Sequence, residues 1–373
     1  MTVLGTRPEI IRLSRVIPRL DESFDHTLVH TGQNYDVELS QEIFDDLGLR
    51  SPDRYLGVGP GSLGQILGRT LIGVEEAILE SRPNALLVLG DTNSCIAAVI
   101  AKRLRVPVYH MEAGNRCFDD NVPEETNRRL VDHVSDFNLV YTEHARRNLL
   151  AEGLPARRIS LTGSPMAEVL TYYAGRIGDA DVLDELGLEA GGYILLSAHR
   201  EETVDERSRL TDLTTTMSDV RHEFGRPVLV STHPRTRSRL EQLGITDLEG
   251  VVFHAPFGFC DYVHLQRHAF FVLSDSGTIS EESAILDFPA VTLRDAIERP
   301  EALEAGAMIT SGVESSIVRA SMRQVLAQRA AGDFPSVPVD YQVENCSQRV
   351  ANFIRATSHV HHAWAGVRRS TPD

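Results

Sequence analysis

The chain has 373 residues, enough for two domains of ordinary size, and 42% of them are hydrophobic against 24% charged. A formal net charge of −16 sets the surface against phosphodiester backbones, so no nucleic-acid partner is expected, although a local arginine cluster can still hold a small anion. No apolar run approaches the roughly 18 residues of a membrane span, which argues against a membrane partner. Four cysteines (Cys95, Cys117, Cys260, Cys346) lack any C-x-x-C spacing. That favours reduced thiols in a cytoplasm and leaves no thiolate metal site, so no metal is expected. Met1 leads directly into an apolar run, and no secretory leader is expected.

Short β-rich runs alternate with helical periodicity along the chain. The first set of predicted strands is Thr2–Leu4, Thr27–Thr31, Ala85–Leu89, Val106–Tyr109, Asn138–Thr142 and Arg158–Thr162. The second is Tyr193–Ser197, Val228–Thr232, Val251–His254, Phe270–Ser274 and Ala290–Leu293. Most are apolar at consecutive positions, as parallel strands covered on both faces must be. Amphipathic helices are predicted at Ile10–Leu20, Leu71–Glu80, Cys95–Leu104 and Ile317–Ala327. The alternation predicts an α/β fold of two doubly wound Rossmann-like domains facing a cleft. The first covers 1–165, with a helix from about 345–373 returning to it. The second covers 166–344. Three histidines in the tail "SHVHHAWAGVRRSTPD" read as part of a loosely ordered terminus rather than a metal site.

Ligands of open α/β sheets bind beyond the carboxyl ends of strands, and the informative residues stand there. "GTRPEIIR" follows the first strand and places Arg7 at a helix N-terminus, suited to phosphate or simply exposed beside a capped helix. "GDTNSC" follows the third strand, where Asp91 reads either as an N-cap or as an acid/base group. "HMEAGNR" puts Glu112 just past a buried strand. "VPEETNRRLVDH" opens a helix at Pro123 with Glu124, Arg128 and Asp132 on one face, which fits a solvated salt-bridged helix or a site. "LLSAHREET" sets His199 and Arg200 at the end of the second domain's first strand. "SDSGTISEES" carries Ser276, Gly277 and Thr278 at a helix start, an anion cradle in form, with Glu282 a turn further on to accept from ribose hydroxyls. The segment Gly59–Gly64 matches G-x-G-x-x-G but follows no convincing strand. It reads as a loop entering a helix, and no nicotinamide cofactor is expected.

Taken in order, "GTRPE", "GDTNS", "EAGNR", "VPEETNRR", "AHRE", "STHPR", "SDSGTISEES" and "ERPEA" span nearly the whole chain. Together they resemble the non-hydrolysing UDP-N-acetylglucosamine 2-epimerase family. The resemblance implies a GT-B-like fold and interconversion of UDP-GlcNAc and UDP-ManNAc, with no cofactor and with a homodimer as the working form. It implies catalytic roles for Asp91, Glu112, Glu124 and His199. It implies contacts to the UDP-sugar from Arg7, Arg12, Arg128, Arg200, His233, Ser276, Gly277, Thr278 and Glu282. Three positions depart from the common pattern. Arg12 stands where many members have lysine, and Thr278 stands where many have a second glycine. "TGQNYD" (Thr31–Asp36) replaces a stretch that many bacterial members use around a second, activating UDP-GlcNAc. Parts of the sequence are also similar to a branch forming UDP-N-acetyl-L-fucosamine from a 6-deoxy sugar. A GT-B glycosyltransferase and a catalytically silent sugar-nucleotide binder share the implied fold and stand as alternatives.

Inverting carbon 2 of such a sugar is difficult because its C–H bond is not beside a carbonyl. Elimination solves this: the bond from carbon 1 to UDP breaks, carbon 2 loses its proton to a base, and a 2-acetamidoglucal forms. Reprotonation on the other face and return of UDP give the epimer. The route needs positive charge for the departing diphosphate and two acid/base groups. Crowding of Asp91, Glu112 and Glu124 is expected to raise one carboxyl pKa.

Overall fold

The computed structural model describes residues 1–33, 37–296 and 298–367, the backbone alone at 37–40. Two compact units emerge from the packing: Met1–Thr171 joined by the chain from Asp340 onward, and Tyr172–Val339.

The first unit holds a seven-stranded parallel sheet: β1 (Thr2–Leu4), β2 (Leu28–His30), β3 (Arg54–Tyr55), β4 (Leu86–Leu89), β5 (Val108–Met111), β6 (Phe137–Val140) and β7 (Ile159–Leu161), in the order β3-β2-β1-β4-β5-β6-β7. The chain reverses direction across the sheet between β1 and β4, which makes their carboxyl ends the switch point. The core is small and branched: Val3, Val29, Val88 and Val108 pack against Val74, Ala77, Ala97 and Ala101 from covering helices. The alanines let those helices approach closely. The helix Cys346–Thr357 belongs to this unit; Tyr109 Oη lies 2.7 Å from Thr357 Oγ1, and the Phe353 ring stands edge-on to Phe137 at 5.4 Å.

The second unit has five parallel strands: β8 (Ile194–Ser197), β9 (Val228–Ser231), β10 (Val251–His254), β11 (Phe271–Ser274) and β12 (Ala290–Thr292), ordered β10-β9-β8-β11-β12. Its switch point lies between β8 and β11. Leu196, Val230, Leu273 and Val291 meet Leu213, Met217, Val318 and Met322 of two long helices.

Several expectations change. β3 was not predicted; it is two residues long at the sheet edge, and Tyr55 is exposed. β5 runs two residues later than the apolar run suggests, through His110. The helix expected over Ile10–Leu20 is two helices, Arg7–Leu13 and Val16–Ser23. The glycine-rich segment is a loop entering the helix Leu63–Ser81, with Ser62 and Gln65 forming a capping box. The tail is helical at His361–Ala365 rather than loose, and its histidines turn to different partners: His359 to Arg355 O, His361 to Asp136 and His362 to Arg105 O. Asn34, Tyr35 and Asp36 of "TGQNYD" lie outside the described residues, as do 368–373 of the tail.

Candidate active site

In the first unit the chemistry begins where β1 ends. Gly5 is required there because a Cβ would sit 2.0 Å from Thr31 Oγ1. Arg7 opens the next helix, half-buried, with Pro8 in the first turn. Two residues on, Glu9 is buried in the same first turn. It accepts from Gly5 N–H at 3.0 Å, from Thr6 Oγ1 at 2.8 Å and from the Ser94 hydroxyl beyond β4. Burial pushes its pKa up to about 7, against the opposing pull of those donors. Sequence reasoning passed over Glu9, whose partner Ser94 is remote in the chain.

Arg12, on the same helix, forms an ion pair with Glu112. Glu112 follows β5 directly and adopts a left-handed backbone, φ 62°, which a non-glycine residue rarely takes. Gly90, at the end of β4, also has a positive φ of 69°, and a Cβ there would lie 3.4 Å from Glu112 Oε2. The carboxylate therefore packs over the glycine that precedes Asp91.

Asp91 does not cap a helix. Thr92 holds that position for the turn Asn93–Ile96, with no side-chain oxygen accepting an amide. The Asp91 carboxylate pairs instead with Arg128. Asn127 Nδ2 supports the same loop, donating to Asp91 O at 2.9 Å.

Arg128 comes from the helix Pro123–Val134, which starts at the proline as predicted. The face carrying Arg128 and Asp132 is not solvated: both side chains are essentially inaccessible. Arg128 Nη1 reaches Glu125 Oε2 at 2.9 Å. Glu125, which sequence reasoning missed in favour of its neighbour, also takes the Cys117 N–H at 3.1 Å and Arg129 Nε at 3.1 Å. Burial works to raise its pKa, but the Cys117 N–H and Arg128 outweigh it and hold the carboxyl below its ordinary range. Glu124, the second residue of the helix, is half-buried. The expected crowding of carboxylates is thus replaced by pairing. Asp91 and Glu112 each meet an arginine, and burial of Glu9 produces the raised carboxyl.

In the second unit, β8 and β11 present the other half of the predicted set. Asp275, fully buried, accepts the backbone N–H groups of His199 at 2.8 Å and Arg200 at 2.9 Å, and His199 Nδ1 lies 3.1 Å from its other oxygen. Burial opposes ionisation of Asp275, yet the His199 ring and these donors hold its pKa below the usual range. Asp275 therefore orients the His199 ring, a role the sequence motif did not assign.

Ser276, Gly277 and Thr278 lead into the helix Ile279–Leu286. The Ser276 N–H donates to Ser274 Oγ at 3.1 Å and the Thr278 N–H to Ser276 Oγ at 3.3 Å. Two of the amides expected in the cradle are thus engaged within the turn. A Cβ on Gly277 would come within 3.5 Å of Arg200 Nη2 and 4.0 Å of Arg294 Nη1, so the turn lies against two guanidiniums. Glu298 holds both, at 2.7 Å from Arg294 and 3.9 Å from Arg200. Glu282 is buried and accepts from Gln266 Nε2 at 2.7 Å. His233 caps the helix Pro234–Gln242, and its ring centroid lies 6.0 Å from that of His199.

Each unit thus concentrates its charged groups at the carboxyl ends of parallel strands flanking its switch point: carboxylate–guanidinium pairs in the first, a histidine and arginine-lined helix start in the second. Two Rossmann-like sheets in this order define the GT-B-like class. The chain belongs to the UDP-N-acetylglucosamine 2-epimerase family, whose pattern it matches over residues 19–355. The structure of UDP-N-acetylglucosamine 2-epimerase from Rickettsia bellii is 42% identical and superposes with a TM-score of 0.91, covering 97% of each chain. The Methanocaldococcus jannaschii UDP-GlcNAc 2-epimerase, solved with UDP-GlcNAc and UDP, is 31% identical at a TM-score of 0.89, covering 95% of this chain and 99% of that one. A Pseudomonas aeruginosa relative, UDP-2,3-diacetamido-2,3-dideoxy-D-glucuronate 2-epimerase, is 35% identical over 339 residues, 89% of this chain and 94% of its own.

Proposed function

We propose that the protein inverts carbon 2 of a UDP-2-acetamido sugar, interconverting UDP-GlcNAc and UDP-ManNAc by elimination of UDP and its return. The observation that carries this reading is the pairing of Asp91 with Arg128 and Glu112 with Arg12 at the carboxyl ends of neighbouring strands. Such pairs bring proton acceptors and positive charge together. A transferase that only moves a sugar has no use for so many carboxylates, and a silent binder has less. In this reading Asp91, Glu112, Glu124 and His199 handle protons on the two sugar faces. Arg7, Arg12, Arg128 and Arg200 meet the charge of the departing diphosphate. Ser276, Gly277 and Thr278 bind UDP with His233, and Glu282 accepts from the ribose. No cofactor is required.

The test is incubation with UDP-GlcNAc alone in heavy water, followed by NMR. UDP-ManNAc with deuterium at carbon 2 is the expected product, and epimerisation without exchange overturns the elimination route. The Pseudomonas aeruginosa relative shows how far the sugar's other substituents vary among similar proteins. A parallel incubation with the 6-deoxy UDP-L-sugar therefore decides which sugar is preferred.

A cytoplasmic homodimer is part of the same proposal. No helix among the described residues is long and apolar enough to cross a membrane. All four cysteines are free. On the helix Leu63–Ser81, Ile72 and Leu79 are exposed on the face that also carries Gly64 and Gly68, over which there is open space. Such a stripe admits close approach of a second helix. Light scattering on Ile72→Glu should report a monomer, and an unchanged mass removes this face from the interface.

A further inference from the structure

We propose that His110 is a positioning residue for the reaction, a buried strut whose two ring nitrogens both donate and which fixes the segments bearing Asp91, Glu112 and Glu124. The proposal rests on the functional reading above.

The ring lies at the end of β5 with no accessible surface. Its Nε2 is 2.8 Å from Gly90 O, the carbonyl just before Asp91. A carbonyl oxygen only accepts, so Nε2 must carry a hydrogen. Its Nδ1 is 2.9 Å from Asp132 Oδ1. That carboxylate also takes the Gly114 N–H at 3.2 and 3.1 Å and Arg116 Nη1 at 2.7 Å. With a guanidinium and an amide already directed at it, Asp132 is an acceptor on this side as well, and Nδ1 donates.

Charge closes locally. Asp132 sits between the imidazolium and Arg116, and Arg116 reaches Glu152 through Nε at 2.8 Å and Nη2 at 2.7 Å. Each anion is thus met from more than one side, Glu152 also lying 3.1 Å from His133 Nε2, as burial of ions demands. Asn138 Nδ2 adds a bond to Asp132 O at 3.0 Å, anchoring the helix to β6.

The strut joins three segments, each of which carries a proposed catalytic carboxylate. Gly90 precedes Asp91; His110 and Gly114 bracket Glu112; Asp132 lies two turns along the helix from Glu124. Gly90 and Gly114 both turn through positive φ, 69° and 81°. Such turns hold their direction only when their polar groups are fixed. His110 itself faces the backbone of Gly90 and the side chain of Asp132, so it acts through the loops it braces.

His110→Gln keeps an amide donor for Gly90 but turns an oxygen towards Asp132. A displacement of about 1 Å in a catalytic group costs on the order of 100-fold in rate. The expected result is a fall in kcat of roughly ten- to 100-fold, with a much smaller change in KM and UDP affinity, because most of the proposed UDP contacts (Arg200, His233, Ser276, Gly277, Thr278 and Glu282) belong to the second unit. Asp132→Asn should reproduce that split. An unchanged kcat in folded His110→Gln, or kcat and KM rising and falling together, overturns the proposal. Nitrogen-15 NMR of the wild-type protein at neutral pH supplies a measurement independent of any variant's folding: His110 should show a proton on both ring nitrogens, and a lone pair on either one overturns the strut. If the wild type does not epimerise any UDP-sugar, the functional reading fails while the NMR result still decides the ring's two donors.

Discussion

Arg128→Met tests the centre of the first unit. The substitution keeps a long side chain in the same space but removes the positive charge that joins Asp91 to Glu125. Glu125 is 2% accessible and Asp91 20%, so the penalty falls mainly on Glu125, which retains the Cys117 N–H and Arg129. Breaking a buried pair by removing one partner costs about 3–5 kcal/mol. For a unit of this size each kcal/mol lowers Tm by roughly 2–4 °C, so a drop of about 6–20 °C is expected in the first unit's transition. The deficit should depend on pH, and its sign follows from the carboxyls. In the wild type the folded-state pKa of Glu125 is depressed, so its contribution is present above the unfolded value and lost as pH falls. Without Arg128 the burial of Glu125 is less opposed and favours its protonated form, which raises its folded pKa and makes the variant lose stability relative to the wild type as pH rises. Calorimetry on both proteins from pH 5 to pH 8 should therefore show the Tm gap widening towards pH 8. A gap independent of pH would mean that Arg128 contributes packing rather than charge, and the account of this cluster would be wrong.

Glu124→Gln should lose about 100-fold or more in rate, the order of a lost acid/base group, while UDP still binds with wild-type affinity in calorimetric titration; normal turnover removes Glu124 from the chemistry. Ser276→Ala should weaken UDP binding more than it changes kcat, and an unaltered Kd rejects the cradle. Glu9→Gln should flatten stability against pH: burial raises the wild-type carboxyl to about 7, so folding becomes less favourable as pH climbs from the unfolded value through 7. The span is on the order of 3 kcal/mol at 1.36 kcal/mol per unit, and a variant with the wild-type slope refutes the assignment.

Strands proved the most legible part of the sequence, because a strand covered on both faces must be apolar at consecutive positions. β1 and β10 begin and end where the apolar runs do. β5 shows the limit. Its polar His110 looks like the end of a strand, yet the ring is buried because Gly90 and Asp132 satisfy it, and nothing local reveals partners 20 and 22 residues away. The same holds for the site. Motifs placed Asp91, Glu112 and Arg128 correctly after strands or on the helix, but not their pairing. Asp91 looked like a cap because aspartate before a helix usually is one. Arg128 competes for that carboxylate and wins, since an ion pair with a buried guanidinium is stronger than an amide contact. Glu125 and Asp275 escaped notice for a related reason: each looks like an ordinary polar neighbour of a motif residue until the fold surrounds it with donors.

The left-handed backbone at Glu112 carries a consequence for the history of the chain. An L-residue with φ near 62° costs roughly 1–2 kcal/mol relative to glycine; Arg82, Arg105, Phe118 and Asp287 also take a left-handed backbone, but Glu112 is the one of the five that carries a proposed catalytic side chain. Fold stability and activity therefore pull this one position in opposite directions. In a lineage relieved of its chemistry, drift at this codon towards glycine or asparagine would relax the turn and strengthen the protein. The residue found at this place thus serves as a record of whether selection is still acting on turnover.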